Sequence, residues 1–177
     1  MKYIPIDRRT AVQKHQDTVD FMREILPEHP ENKLQRLDFS NTKIKPPLDD
    51  LPENGGMSWV NMLCFDGACF DGANIRADFI QDCTFRGASF LHATVIAYDF
   101  ERCDFTGANF SDAELVMADF KGCVLLSTDF SRAHLKAVWF KGCHIAYANF
   151  EKAIPSSKME FEDCSLFNVK PQELVKA

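Results

Sequence analysis

From Phe65 onward the chain places an apolar residue at every fifth position. The series runs Phe65, Phe70, Ile75, Ile80, Phe85, Phe90, Val95, Phe100 and Phe105, and it continues unbroken through Phe150. Two residues before each centre stands a smaller residue, mostly Ala (68, 73, 88, 93, 108, 113, 118, 133, 148) or Cys (83, 103, 123, 143). Between these positions lie mainly Asp, Asn, Ser, Thr, Gly, Arg and Lys. A period of five matches neither the 3.6 of a helix nor the 2 of a strand. It suits a coil in which each five-residue unit forms one side and then turns. Gly67, Gly72, Gly87, Gly107, Gly122 and Gly142 fall two residues after a centre, where a corner needs unusual backbone angles.

Read four to a coil, the centres sort into columns. Column one is Phe65, Phe85, Phe105, Leu125 and Ile145, while column two is Phe throughout from Phe70 to Phe150. Column three (Ile75, Val95, Leu115, Leu135) holds no Phe, and column four is Ile80, Phe100, Phe120 and Phe140. A twenty-residue sub-period is therefore written in the side chains themselves. Neighbouring coils should lie about 4.8 Å apart, the spacing of hydrogen-bonded strands. Each coil would then cover the core of the next.

The segments Ala73-Asn74-Ile75, Ala108-Asn109-Phe110, Ala118-Asp119-Phe120 and Ala148-Asn149-Phe150 resemble the A(D/N)LXX motif of the pentapeptide repeat family. The resemblance covers 63–153 continuously. It implies an all-β solenoid, a right-handed quadrilateral β-helix with four repeats per coil.

The ends and interruptions belong to the same single domain, 1–177. Val12, Val19, Met22, Ile25 and Leu26 form an apolar stripe behind Thr10 and Gln13, which predicts a capping α-helix over 11–26. Leu34, Phe39 and Ile44 restart the spacing, and the Pro- and Gly-rich stretch 45–59 reads as a loop inserted between sides three and four of one coil. After Phe150 the centre is lost at Pro155. The pattern resumes at Phe161 and Leu166, displaced by one residue, so 154–177 reads as an irregular last coil and C-terminal cap, with Leu174 and Val175 covering the last edge or pairing two subunits.

Charge and chemistry change this picture little. The formal net charge of −6 gives no general attraction to a phosphate backbone, which argues against direct nucleic-acid binding. No apolar run is long enough for a membrane helix, and seven cysteines without a signal peptide suit a reduced, cytoplasmic setting. Cys83, Cys103, Cys123 and Cys143 should line up as an inward ladder, which does not converge on one point as a tetrahedral metal site must. The reading is of small buried hydrophobes, with no metal and no cofactor. His15, His29, His92, His134 and His144 show no zinc spacing, and no nucleophile-elbow or phosphate-loop motif occurs. Asp78 occupies an inward small-residue position and needs hydrogen-bonding partners. The sequence points away from an enzyme.

Apolar residues at nominally outward positions are the candidate protein contacts: Leu91, Ile96, Val116, Met117, Val124, Leu126 and Trp139. Ile96, Val116 and Met117 form the preferred cluster, extending toward Val124 and Leu126. The expected function is a non-catalytic scaffold that binds a protein partner or a second copy through a rigid face. The resemblance implies an alternative, because some pentapeptide repeat proteins mimic duplex DNA and protect DNA gyrase. An enzyme using a site in the inserted loop is a weaker third reading.

Overall fold

The computed structural model describes residues 43–44, 59–61, 63–156 and 160–169. The expected helix over 11–26, residues 45–58 of the loop expected over 45–59, and the tail with Leu174 and Val175 lie outside the described residues, while Trp59, expected to end that loop, instead opens a strand paired with Phe79. So do the side chains of Asp78 and Tyr98.

The chain winds as an all-β solenoid with parallel ladders. Strands β1 (Lys43–Ile44), β2 (Trp59–Asn61), β3 (Asn74–Gln81) and β4 (Thr94–Glu101) come first. They are followed by β5 (Glu114–Val116), β6 (Asp119–Lys121), β7 (Val124–Leu126), β8 (His134–Lys136), β9 (Trp139–Lys141) and β10 (His144–Ala146). The last are β11 (Ile154–Pro155), β12 (Glu160–Glu162) and β13 (Ser165–Phe167). The twenty-residue return is seen in the register: Ile75 aligns with Val95, Val95 with Leu115, and Leu115 with Leu135. Main-chain bonds join the rungs between strands as well, for example Phe65 N–H to the Thr84 carbonyl at 2.7 Å and Phe85 N–H to Asp104 at 2.7 Å.

The five-residue side is closed by a turn. Ala68 N–H donates to the Phe65 carbonyl at 3.0 Å, and Gly67 between them has φ +68°. A positive φ at the third residue of a four-residue turn is the type II geometry, which glycine adopts without steric cost. Non-glycine residues such as Met117, Ser127 and Ala137 hold the same left-handed angle at other corners.

The centres fill the interior. In column two, Phe70, Phe90, Phe110, Phe130 and Phe150 stack with ring centroids 4.8, 4.5, 5.2 and 4.9 Å apart. Phe65, Phe85 and Phe105 stack at 4.9 Å in column one, and Phe100, Phe120 and Phe140 at 5.0 and 5.1 Å in column four. Columns one and four meet edge to face, as at Phe100 and Phe105 (5.2 Å, 88°). Offset stacks and T-shaped contacts are both favoured by the ring quadrupole. The repeated aromatic shape thus has a use along the axis and across it.

Two breaks in the sequence period are visible in the ladder. Ile44 aligns with Ile75 and Val60 with Ile80, so β1 and β2 occupy sides three and four of one coil despite the long step between them. At the other end Ile154 aligns with His134, twenty residues back, whereas Phe161 aligns with Phe140 and Leu166 with Ile145, twenty-one back. The extra residue therefore falls between Pro155 and Glu160.

One corner departs from the five-residue rule. β3 and β4 run unbroken from side three into side four, with Ala77 and Ala97 in extended conformation and buried. In the next two coils the same corner turns at Met117 and Ala137, splitting the path into β5 and β6, then β8 and β9.

Candidate protein-contact face

Outward positions flank each buried centre, so β5 to β10, each of three residues, show an exposed or half-buried residue on both sides of a buried one. On side three, Ile96 aligns with Val116 on the next rung. Both are half-buried. Met117 follows at the left-handed corner and is 41% exposed. One rung further, Trp139 opens side four, aligned with Asp119, and is 46% exposed. These four residues make an apolar strip that crosses rungs and wraps one corner.

Ion pairs border the strip. Lys136 Nζ meets Glu114 at 2.5 Å on side three, and Lys121 bridges Asp99 and Asp119 on side four, the latter at 3.7 Å. Burial, opposed by Lys121, raises the Asp119 carboxyl above its usual range. An apolar centre with a polar rim is the usual anatomy of a contact face.

The remaining candidates lie elsewhere. Val124 and Leu126 flank Leu125 on side one, separated from Met117 by the whole of side four. Leu91 stands half-buried on side two. Ile96, Val116 and Met117 thus occupy adjoining positions on side three and its corner, Trp139 lies on the following rung at the start of side four, and Leu91, Val124 and Leu126 lie on other sides. Two further large apolar side chains outside the candidate set, Tyr147 and Phe167, are 57% and 61% exposed. Their spacing from Ile145 and Leu166 already marked both as outward.

The cysteine ladder is real and internal. The thiols of Cys123, Cys143 and Cys164 donate to the carbonyls of Phe100, Phe120 and Phe140 at 3.2, 3.1 and 3.2 Å. Thr128 fills the same kind of slot at another corner, donating to Phe105 at 3.0 Å. Contact with Cys123, then burial, pushes the Cys103 and Cys143 thiols up, and burial does the same to Cys164. None of the seven cysteines is in a disulfide. Among the described residues no group of three or more His, Cys, Asp or Glu is placed to hold a metal ion. No helix among them is long and apolar enough to cross a membrane.

Charged residues elsewhere pair between rungs. Arg86 meets Asp66 at 2.8 Å, Arg102 meets Asp82 at 2.8 Å, and Arg132 meets Asp112 at 2.7 Å. The Arg132 guanidinium holds the Asp112 carboxyl below its usual range.

The family model described as pentapeptide repeats, in eight copies, matches residues 98–126. No curated protein matches the chain. Among solved structures it is similar to HetL, a pentapeptide repeat protein involved in heterocyst differentiation regulation from the cyanobacterium Nostoc sp. strain PCC 7120. That match has 15% identity and a TM-score of 0.41, covering 66% of this chain and 56% of HetL. A pentapeptide repeat protein of the Arabidopsis thaliana thylakoid lumen matches with 17% identity and a TM-score of 0.36, over 78% of this chain and 71% of that one. QnrB1, a plasmid-mediated fluoroquinolone resistance protein, matches with 19% identity and a TM-score of 0.33, over 74% of this chain and 80% of that one.

Proposed function

Because a model of pentapeptide repeats matches residues 98–126, we propose that the chain is a pentapeptide repeat protein and acts as a non-catalytic cytoplasmic scaffold. It binds a protein through the strip formed by Ile96, Val116, Met117 and Trp139. The observation that carries this reading is the pair Met117 and Trp139, large apolar side chains exposed on adjacent rungs beside the in-register Ile96 and Val116. A face set on hydrogen-bonded rungs is preformed, so association costs little ordering. The partner would present aliphatic or aromatic side chains to the strip and mixed charge to the ion pairs around it. The apolar stripe within 11–26 would cover the first coil, and the insertion after Ile44 would belong to the same single domain.

The test is a double variant, Ile96→Asp with Val116→Asp, compared with a control pair in register on side one, Leu126→Asp with Ala146→Asp. Quantitative co-purification and light scattering should show partners or self-association lost in the first pair and kept in the second. Equal retention in both, with unchanged circular dichroism, would remove the face from consideration.

Protection of DNA gyrase is the second reading, favoured by one observation. Over residues 63–156 and 160–169 there are fifteen Asp and Glu against eight Lys and Arg. An acid excess on a rigid rod is what mimicry of a duplex requires. The rung-to-rung pairs at Asp66–Arg86, Asp82–Arg102 and Asp112–Arg132 interrupt the acidic rows, which is why this reading stands second. A supercoiling assay with gyrase and a quinolone decides it: undiminished inhibition in the presence of the protein would end that reading.

A further inference from the structure

The C-terminal end of the solenoid carries a separate apolar surface. β7, β10 and β13 form a three-stranded parallel sheet with β13 at its edge. Its central residues align as Leu125, Ile145 and Leu166. Exposure of that centre is 0% at Leu125 and 1% at Ile145 but 39% at Leu166. Beside it stands exposed Phe167, whose ring meets Tyr147 edge-on at 5.3 Å. On side four Phe161 stacks on Phe140 at 5.0 Å and is only half-buried. Exposed Glu162 follows, already paired with Lys141 of the preceding rung at 2.8 Å, and then exposed Asp163. Among the described residues no strand pairs with the far side of β12 or β13.

The repeat itself specifies what fits there. In the two preceding coils the rung over these sides reads Phe120-Lys121 with Leu125, and Phe140-Lys141 with Ile145. We propose that this end binds an extended segment of a partner protein, added as a further parallel rung along β12 and β13. The segment carries a bulky apolar residue followed by Lys or Arg, and a second bulky apolar residue five positions after the first. Main-chain hydrogen bonds along an edge supply affinity, and side chains at alternate positions supply specificity. Its two apolar residues cover Phe161 and Leu166, and its cation meets Glu162 and Asp163 as Lys141 meets Glu162 from the other side. Two strands of three residues present far less surface than the roughly 800 Å² per partner of a stable globular interface. A single segment, not the folded face of a second copy, is matched to that size. The proposal does not depend on the corner strip, which lies on earlier rungs.

The probe is a synthetic peptide copying residues 139–146, with a control in which the positions of Phe140 and Ile145 are serine. Added to the full-length protein, the first should slow amide exchange at 166–168 at least tenfold, and the control should not. Leu166→Lys should weaken binding at least tenfold. Glu162→Lys should weaken it about threefold, and a peptide with Glu at the position of Lys141 should recover that loss. Equal binding of the control peptide, or saturation without protection of 166–168, overturns the proposal. So does a dimer that the peptide fails to dissociate. Cross-links placing the chain's own 170–177 over β13, unmoved by peptide, overturn it as well.

Discussion

The corner between sides three and four is built in two ways within one molecule. In the coils of β3 and β4 the backbone passes through it as an eight-residue strand. In the coils that follow it turns sharply at Met117 and Ala137, with φ of 53° and 52°. The difference follows one position, two residues before the side-four centre. The sharp corners have Ala118 and Val138 there, both 0% exposed. The straight corners have Asp78 and Tyr98. A slot sized for a small apolar residue takes a ring or a carboxylate only at a cost in overpacking or desolvation. There the strand continues, and Ala77 and Ala97 are the buried small residues, at 4% and 1%. The stacking persists across the boundary, with Phe100 and Phe120 at 5.0 Å, and the change shows only as a tilt of 20° between their rings against 9° between Phe120 and Phe140.

The largest expected effect lies in this stacked core. Phe100→Ala and Phe120→Ala should each cost about 3–5 kcal/mol in urea unfolding, because a stacked interior collapses poorly around a gap. Costs differing by more than about 2 kcal/mol would mean that the corner type alters the core after all. Next in size, Ala118→Tyr should cost about 1–3 kcal/mol by overpacking the slot. A structure of that variant would sharpen the comparison further if the corner straightened and Met117 lost its positive φ.

A smaller effect should change sign between the two corners. Ala137→Gly removes a left-handed alanine, a strain of about 1–2 kcal/mol, and should stabilise despite the extra freedom of the unfolded glycine. Ala97→Gly lies in an extended strand and should destabilise by about 0.5–1 kcal/mol. Thermal melts of the two variants moving in the same direction would break the distinction.

The smallest effect is in pH dependence. Asp112 is held below its usual range by Arg132, so its contribution is present at neutral pH and is lost as pH falls through that lowered value. Asp119 is raised by burial, so its contribution is present below the usual carboxylate range and is lost as pH rises through the raised value. Asp112→Asn should therefore lower stability slightly at pH 7 and leave it unchanged well below the carboxylate range. Asp119→Asn should not share that profile.

The columns were legible because bulk and period coincide: a Phe at every fifth position has one place to go. The displaced register of Phe161 and Leu166 could be counted for the same reason. The straight corner could not. Asp78 and Tyr98 stand out as wrong for the slot, but a count of positions does not say whether the backbone or the side chain gives way. Leu91, Ile96, Val116 and Val124 were recognisable as outward and not as half-buried, because neighbouring rungs at about 4.8 Å shade one another's flanks. Met117 and Trp139 escape that shading, the first at a corner and the second at the start of a side.

The rung-to-rung bonds, such as those of Phe65 to Thr84 and Phe85 to Asp104, have a mechanical consequence. Each coil is held to its neighbour by a row that lies along the axis, so tension applied to one terminus loads only the outermost row at a time. The molecule would peel rather than rupture. Every released turn of twenty residues would pay out about 65–70 Å of slack chain before the next row took the load.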